Sequence, residues 1–482
     1  MNASPTPDYP LEPSAAEMRR LVDAAMERIV THIMSLPDQP ASNPAGAHEL
    51  ARSLVEPLPE RGTSFDELLR IVFDRAVPTS FNTAGPGYLA YIPGGGIFDA
   101  AVADLVSDAI NRYVGVWLAA PGLVQLEANV LRWFAEMVGY PETARGILTS
   151  GGSLANFSAL VTARRERLPE DFRRGAIYVS DQAHHSVAKA AMLAGFPAAN
   201  VRVVPSDHAF RIRLDALARQ ITDDRREGWE PFLVVVSGGT TNTGAVDDLA
   251  GAAALARSER IWLHVDAAYG GFFVLTDAGR AALAGIGEAD SIVLDPHKGL
   301  FLPYGTGCLL VRDGAALTRA HRLDAAYLPA MQDSDEFPDF CNMSPELSRD
   351  FRGLRVWLPL RLRGVEAFRR SLTEKLELAR WAADRLSEIP ELEVLAPPQL
   401  SIVAFAVRRN GRSLDEVNRL TQTVLDRVNA RRRVYLTTTT IGGRLLIRIC
   451  VLSFRTHRDR MEAGLEDVRA AVAALPPDLS VT

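Results

Sequence analysis

Cysteine is scarce. Three occur in 482 residues, Cys308, Cys341 and Cys450, with no CxxC spacing. An odd, scattered set leaves no basis for a disulfide framework or a cysteine-built zinc site, and it suits a reducing compartment, so a cytoplasmic protein is expected. A long apolar run is missing too: nothing reaches the ~18 residues of a membrane-spanning helix, so no membrane partner is expected. The opening MNASPTPDYPLEPS lacks a basic stretch followed by an apolar one, and no secretory signal is expected. Basic residues are not in excess. With 53 Lys and Arg against 59 Asp and Glu, the formal net charge is −6. There is no basic stripe with interleaved aromatics, so nucleic acid is not an expected partner. No H-E-x-x-H or similar ligand spacing appears, and no metal is expected.

What remains is the composition of a soluble globular chain, 47% hydrophobic and 23% charged. Its length allows one large or two to three ordinary domains. Ser14 and Glu17 have capping-box spacing, and apolar residues from Met18 to Met34 recur at helical intervals. This predicts an amphipathic helix that faces its own core or, on an N-terminal arm, a partner subunit.

From 145 to 312 short apolar segments alternate with helical ones. Strands are predicted at Gly146–Thr149, Ala176–Ser180, Val201–Val204, Phe232–Val236, Ile261–Val265, Ser291–Leu294 and Cys308–Arg312. Helices such as Leu154–Arg165, His185–Ala194, Leu249–Ser258 and Asp277–Ala284 lie between them. Such alternation predicts an α/β fold with a mostly parallel sheet covered on both faces. From about 366 a long charged helix leads to strands at Ile402–Val407, Val434–Thr438 and Leu445–Val451, a smaller α+β domain. The predicted division is an N-terminal helical arm (1–85), a large α/β domain (86–365) and a small C-terminal domain (366–482).

In parallel sheets ligands sit at the carboxyl ends of the strands, so the polar residues there matter most. After the first strand, Ser150-Gly-Gly-Ser153 opens a helix and could hold a phosphate, although such a turn alone is weak evidence. After the second come His184 and His185, each of which taken alone reads as an ordinary surface or helix-start histidine. The fourth strand offers Thr240 and Thr241, the fifth Asp266, and the sixth Lys298. A lysine at the mouth of a buried strand is costly to desolvate, and a desolvated amine is a better nucleophile. A phosphate cradle, a histidine, a hydroxyl, a carboxylate and a lysine are together what pyridoxal phosphate requires. Its aldehyde takes a lysine, and its pyridine nitrogen needs a carboxylate to stay protonated.

The segments TSGGSLAN, DQAHHSV, GTTNTG, HVDAAYGG and DPHKGL stand in the order and approximate spacing of the group II pyridoxal-phosphate decarboxylases. The chain resembles that family, on the side of the aromatic-L-amino-acid decarboxylases. GPGYLAYIPGGG, FRGLRVWLPLR and LLIRICVLS resemble further landmarks, so most of the chain is covered. The resemblance implies a fold type I enzyme, a homodimer with shared active sites and an amino acid substrate. It implies that Lys298 forms the Schiff base, Asp266 pairs with the pyridine nitrogen and His184, rather than His185, stacks on the ring. Gly152 and Ser153 would hold the phosphate. Thr241 would lie on the hydroxyl side, Ala268 under the ring, and His297 and Asp295 beside Lys298. Tyr91, Pro93, Gly94 and Trp117 would line the substrate pocket, with Arg448 as an active-site arginine.

Three positions depart from the family. Counting back from Phe351, Phe340 takes the place of the loop tyrosine that protonates the product carbon, and no tyrosine lies between Tyr327 and Tyr435. The surrounding stretch, 329–345, reads as a mobile lid. Phenylalanine there goes with aldehyde synthases, in which O2 intervenes. The expected product is therefore the amine, with His184 as a substitute proton donor, or alternatively an aldehyde formed by oxidative deamination. An aminotransferase or a non-catalytic binding module is a further alternative. Asp295 replaces an asparagine, and Gly94-Gly95-Gly96 replaces a segment that often carries a hydroxyl residue. Tyr91, Phe98 and Trp117 favour an aromatic side chain in the substrate.

Overall fold

The computed structural model describes residues 9–323 and 336–476. The strands of the large sheet are β1 (Arg145–Thr149), β2 (Gly175–Ser180), β3 (Val201–Val204), β4 (Glu230–Ser237), β5 (Trp262–Asp266), β6 (Ser291–Leu294) and β7 (Gly307–Val311). All seven fall within two residues of the predicted positions. Their spatial order is β1-β7-β6-β5-β4-β2-β3. Pairings are parallel from β3 through β2, β4 and β5 to β6, whereas β7 runs antiparallel to both β6 and β1. Six strands therefore point one way, and their carboxyl ends share one edge of the sheet. β2 and β4–β7 are almost entirely buried, as apolar strands covered by helices on both faces must be.

A second sheet is built from β8 (Leu392–Val394), β9 (Ile402–Val407), β10 (Thr437–Ile441) and β11 (Arg444–Cys450), in the order β10-β11-β9-β8, all antiparallel. β10 starts three residues later than predicted. Residues 434–436 are extended but pair elsewhere: Tyr435 N–H donates to Gly87 O at 2.9 Å, and Leu89 N–H donates to Tyr435 O at 3.1 Å. These bonds tie the 87–89 segment to the C-terminal part of the chain. A separate apolar core gathers residues 378–475 together with Leu89. The helix Arg352–Ser387 joins the two regions and is interrupted at Gly364, whose φ of 71° and ψ of 153° suit glycine.

The N-terminal helix Ala15–Ser35 is capped by Ser14, whose hydroxyl accepts from Glu17 N–H. It has no buried residue, and Met18, Val22, Val30 and Met34 are exposed. The predicted lid segment lies outside the described residues up to 335. From Phe340 to Asn342 it forms a short 3-10 turn.

Candidate active site

A cavity of about 270 Å³ opens at the shared carboxyl edge of the sheet. After β1 the chain turns through Ser150 and Gly151 into the helix Gly152–Arg167, whose start has no side-chain cap. Its first-turn N–H groups therefore remain available to an anion. A methyl group on Gly152 would lie 2.9 Å from Asp295 Oδ2 and 3.3 Å from the Ala268 methyl, so only glycine permits this approach.

His184 ends the turn after β2 and caps the helix His185–Leu193. It lines the cavity, whereas His185 is exposed and does not. Burial lowers the His184 pKa below the ordinary histidine value despite the pull of Asp266. Ser237, Gly239, Thr240 and Thr241 follow β4 into the same wall.

Asp266 ends β5 and is 9% exposed. Its Oδ2 accepts from Asn156 Nδ2 at 2.9 Å, and its Oδ1 accepts from Ala268 N–H at 3.2 Å. A carboxylate held by two N–H donors at the end of a buried strand suits a cationic ring partner. Lys298 sits in the single turn Pro296–Gly299 after β6. Its Nζ lies 2.9 Å from Asp295 Oδ2. Burial would lower its pKa, but the charge and hydrogen bond of Asp295, with Asp266 beyond, raise it above the ordinary lysine value. The neighbouring His297 directs Nδ1 to Thr306 O at 2.6 Å, so that nitrogen carries hydrogen.

Gly152, Ser153, His184, Thr241, Asp266, Ala268, Asp295, His297 and Lys298 thus line one cavity, although up to 146 positions separate them. The residues expected to meet the substrate do not line it. Tyr91 is 56% exposed and has a positive φ of 50°. Pro93 and Gly94 are buried, with Gly94 packed directly on the His297 carbonyl. Trp117 stacks on Phe337 with centroids 4.3 Å apart. Arg448, expected as an active-site arginine, does not line the cavity itself. Its guanidinium donates to the carbonyls of Thr241 and Asn242, the latter at 2.9 Å, and so braces the turn after β4. Phe340 does not line the cavity of its own chain either. It is 1% exposed in the main core, with the Arg349 guanidinium 5.0 Å from its ring centroid, and it borders a different cavity.

Several residues of the site had not been singled out. Asn156 lies one helical turn beyond Gly152, on the face turned to Asp266. His264 precedes Asp266 by two positions and so shares its face of β5. Those spacings were the available signals.

Residues 48–408 match the pyridoxal-dependent decarboxylase conserved domain. The chain belongs to the pyridoxal-dependent decarboxylase family. It is 35% identical over 462 residues to an aromatic-L-amino-acid decarboxylase of Bacillus atrophaeus, covering 95% of this chain and 96% of the other. Its structure superposes on the Oryza sativa TDC solved with PLP and tryptamine with a TM-score of 0.91 and 26% identity, covering 97% and 99% of the two chains. A Rhodiola rosea 4-hydroxyphenylacetaldehyde synthase shares the fold at a TM-score of 0.89 and 23% identity, over 97% and 100%. The fold is that of the type I pyridoxal-phosphate enzymes, and this decarboxylase-family chain is a carboxy-lyase that uses pyridoxal phosphate. The cavity fits that cofactor. It offers a lysine amine, a carboxylate held by N–H donors, an uncapped helix start and a glycine-lined approach. One buried polar atom, Asp295 Oδ1, has no hydrogen-bond partner among the described residues.

Proposed function

We propose that this enzyme decarboxylates an aromatic L-amino acid to the corresponding amine, using pyridoxal phosphate carried by Lys298. The observation that carries this reading is the convergence of Lys298, Asp266 and His184 on one cavity at the strand ends. When bound, the cofactor supplies an electron sink for the bonding pair left behind by CO2. Asp266, oriented by Asn156 and the Ala268 N–H, would keep the ring nitrogen protonated. His184 would cover one face of the ring. The turn at Gly152 and Ser153 would take the phosphate on backbone N–H groups, and the small Ala268 would leave room for the ring. Lys298 would provide the amine that carries the cofactor, with Asp295 beside its Nζ at 2.9 Å.

We infer a homodimer as the working unit. The helix Ala15–Ser35 buries none of its own residues, and its exposed Met18, Val22, Val30 and Met34 would be covered by a second copy. Tyr91, with its exposed ring, would meet substrate across that interface. An aromatic substrate is supported by the 35% identical relative from Bacillus atrophaeus. Among the described residues no helix is long and apolar enough to cross a membrane, and the three free cysteines are buried, which suits a cytoplasmic enzyme. Amine formation is preferred to oxidative deamination on the 35% identity to the aromatic-L-amino-acid decarboxylase of Bacillus atrophaeus.

Product analysis tests this reading. Aromatic amino acids incubated in air and under nitrogen should give equal amounts of amine and CO2 without peroxide. Lys298→Ala should abolish both the visible absorbance of the cofactor and turnover. Aldehyde and peroxide in air would overturn the amine assignment.

A further inference from the structure

From the cavity wall inward runs a chain of buried polar side chains: Ser186, Asn156, His264, Ser291 and Trp262, of which only Asn156 has been given a part above, as a donor to Asp266. Each is less than 5% exposed. The direction of every bond follows from groups that can only accept or only donate. Asp266 Oδ2 is a carboxylate oxygen, so the Asn156 atom 2.9 Å away is the amide NH2. The same NH2 lies 2.9 Å from Ser186 Oγ. The amide oxygen is thereby turned to His264 Nε2, also at 2.9 Å, and that nitrogen must carry hydrogen.

Burial lowers the His264 pKa to about 4 against the pull of Asp266, so the ring is neutral and its Nδ1 bare. Nδ1 accepts the Ser291 hydroxyl at 2.8 Å, and Ser291 Oγ accepts the Trp262 indole N–H at 2.8 Å. On the other side of Asn156, the Ser186 backbone N–H points at His184 Nδ1 from 3.3 Å, a long contact that favours a bare nitrogen without securing it. The Ser186 hydroxyl, 2.7 Å away and accepting the Asn156 NH2 on its oxygen, donates to Nδ1 as well. The single hydrogen of neutral His184 resides on Nε2.

We propose that Asn156 is a positioning residue that reads the orientation of the Asp266 carboxylate and, through Ser186, fixes His184 as its Nε2–H tautomer. Which nitrogen of a histidine holds the proton is set by the bond the other one makes. His184 then presents an N–H rather than a lone pair at its free nitrogen. That suits an anionic acceptor, and the substrate carboxylate is the anion the reaction must hold. The charged and titratable groups facing the His184 ring are Asp266 on β5, Lys298 and Asp295 after β6, and His185 on its own helix. This proposal rests on the decarboxylase reading only for its consequence in turnover.

The test is 15N NMR of the full chain labelled at histidine and free of cofactor, with His184→Gln identifying the signals. Wild type should show a protonated Nε2 and an unprotonated Nδ1 at residue 184. Asn156→Asp is nearly isosteric, and the one proton it must share with Asp266 Oδ2 leaves none to donate to Ser186. The Ser186 hydroxyl should turn to it as donor, and hydrogen should appear in part on His184 Nδ1. Ser186→Ala, which keeps the core apolar and small, should give a mixture of tautomers and secures the test if Asn156→Asp folds poorly. In the loaded enzyme both variants should lose about tenfold or more in kcat/KM. His264→Gln, which can still donate to Asn156, should lose less than His264→Phe. Hydrogen on Nδ1 in wild type, or an unchanged pattern in both variants, overturns the proposal. The spectra need neither cofactor nor substrate, so they stand or fall separately from the product analysis.

Discussion

Asp295 Oδ2 lies 2.9 Å from Lys298 Nζ, while Asp295 Oδ1 is buried without a partner among the described residues. The carboxylate thus grips the amine with one oxygen and faces the glycine turn at Gly152 with its carboxyl edge. It holds the lysine as an ammonium ion, the form that cannot attack an aldehyde.

Asp295→Asn should therefore ease cofactor capture. Asp295 raises the Lys298 pKa against the effect of burial, so removing its charge lowers that pKa and supplies free amine at lower pH. Mixed with pyridoxal phosphate at pH 7, the cofactor-free variant should develop its visible absorbance faster than wild type. The pH dependence of capture should move to lower pH. An identical pH dependence in the two proteins would show that Asp295 does not hold the lysine.

Asp266→Ala should be far more damaging. It removes the ring-nitrogen partner and strands the Asn156 amide, whose donor at 2.9 Å is left unpaired in a buried site. Turnover should fall on the order of a hundredfold or more, comparable to the loss of a preorganised electrostatic group. Equilibrium dialysis should show weakened cofactor retention in the same variant. Retention and turnover equal to wild type would move the nitrogen partner elsewhere.

Phe340→Tyr should leave the product unchanged. The ring is enclosed beside Arg349 and does not border the cavity of Lys298, so a phenol there does not reach the reacting carbon of its own subunit. The added hydroxyl must be buried, at a cost of about 1–3 kcal/mol in unfolding free energy. Denaturant unfolding and product analysis together check this. A shift in the amine-to-aldehyde ratio would return Phe340 to the reacting centre.

Acid should destabilise the fold through its buried histidines. Burial lowers the pKa of His264 and of His321 from 6.5 to about 4. A depressed folded pKa means that the native state binds fewer protons than the unfolded chain. The associated stability is whole above about pH 6.5 and is lost as pH falls toward 4, on the order of 3 kcal/mol per histidine. His264→Gln should remove its share, so the difference in unfolding free energy between variant and parent should change across this interval and be flat above it. A constant difference from pH 4 to 8 would contradict the neutral, buried assignment.

The alternation of apolar strands and helices, and the chemistry of Lys298, Asp266 and His184, were legible in the linear chain. Both are local properties. Strand burial sets hydrophobic runs, and a nucleophile or a ring partner requires a particular residue type at a strand end. The order of the strands and the reversal of β7 were not legible, because backbone hydrogen bonds carry no sequence label. Nor was the inward packing of Phe340, since counting positions back from Phe351 preserves spacing but not direction.

By itself the sequence determined which functional groups this protein owns and that they lie just after strands. Tertiary structure alone decided which of them meet. Asn156 and Asp266 are 110 positions apart and touch because their helix and strand pack against each other. Arg448 is engaged by the chain's own carbonyls and Trp117 stacks on Phe337, contacts that no spacing along the chain announces. The physical reason is that hydrogen-bond direction and side-chain packing depend on distances of a few ångströms in space, which no spacing along the chain specifies.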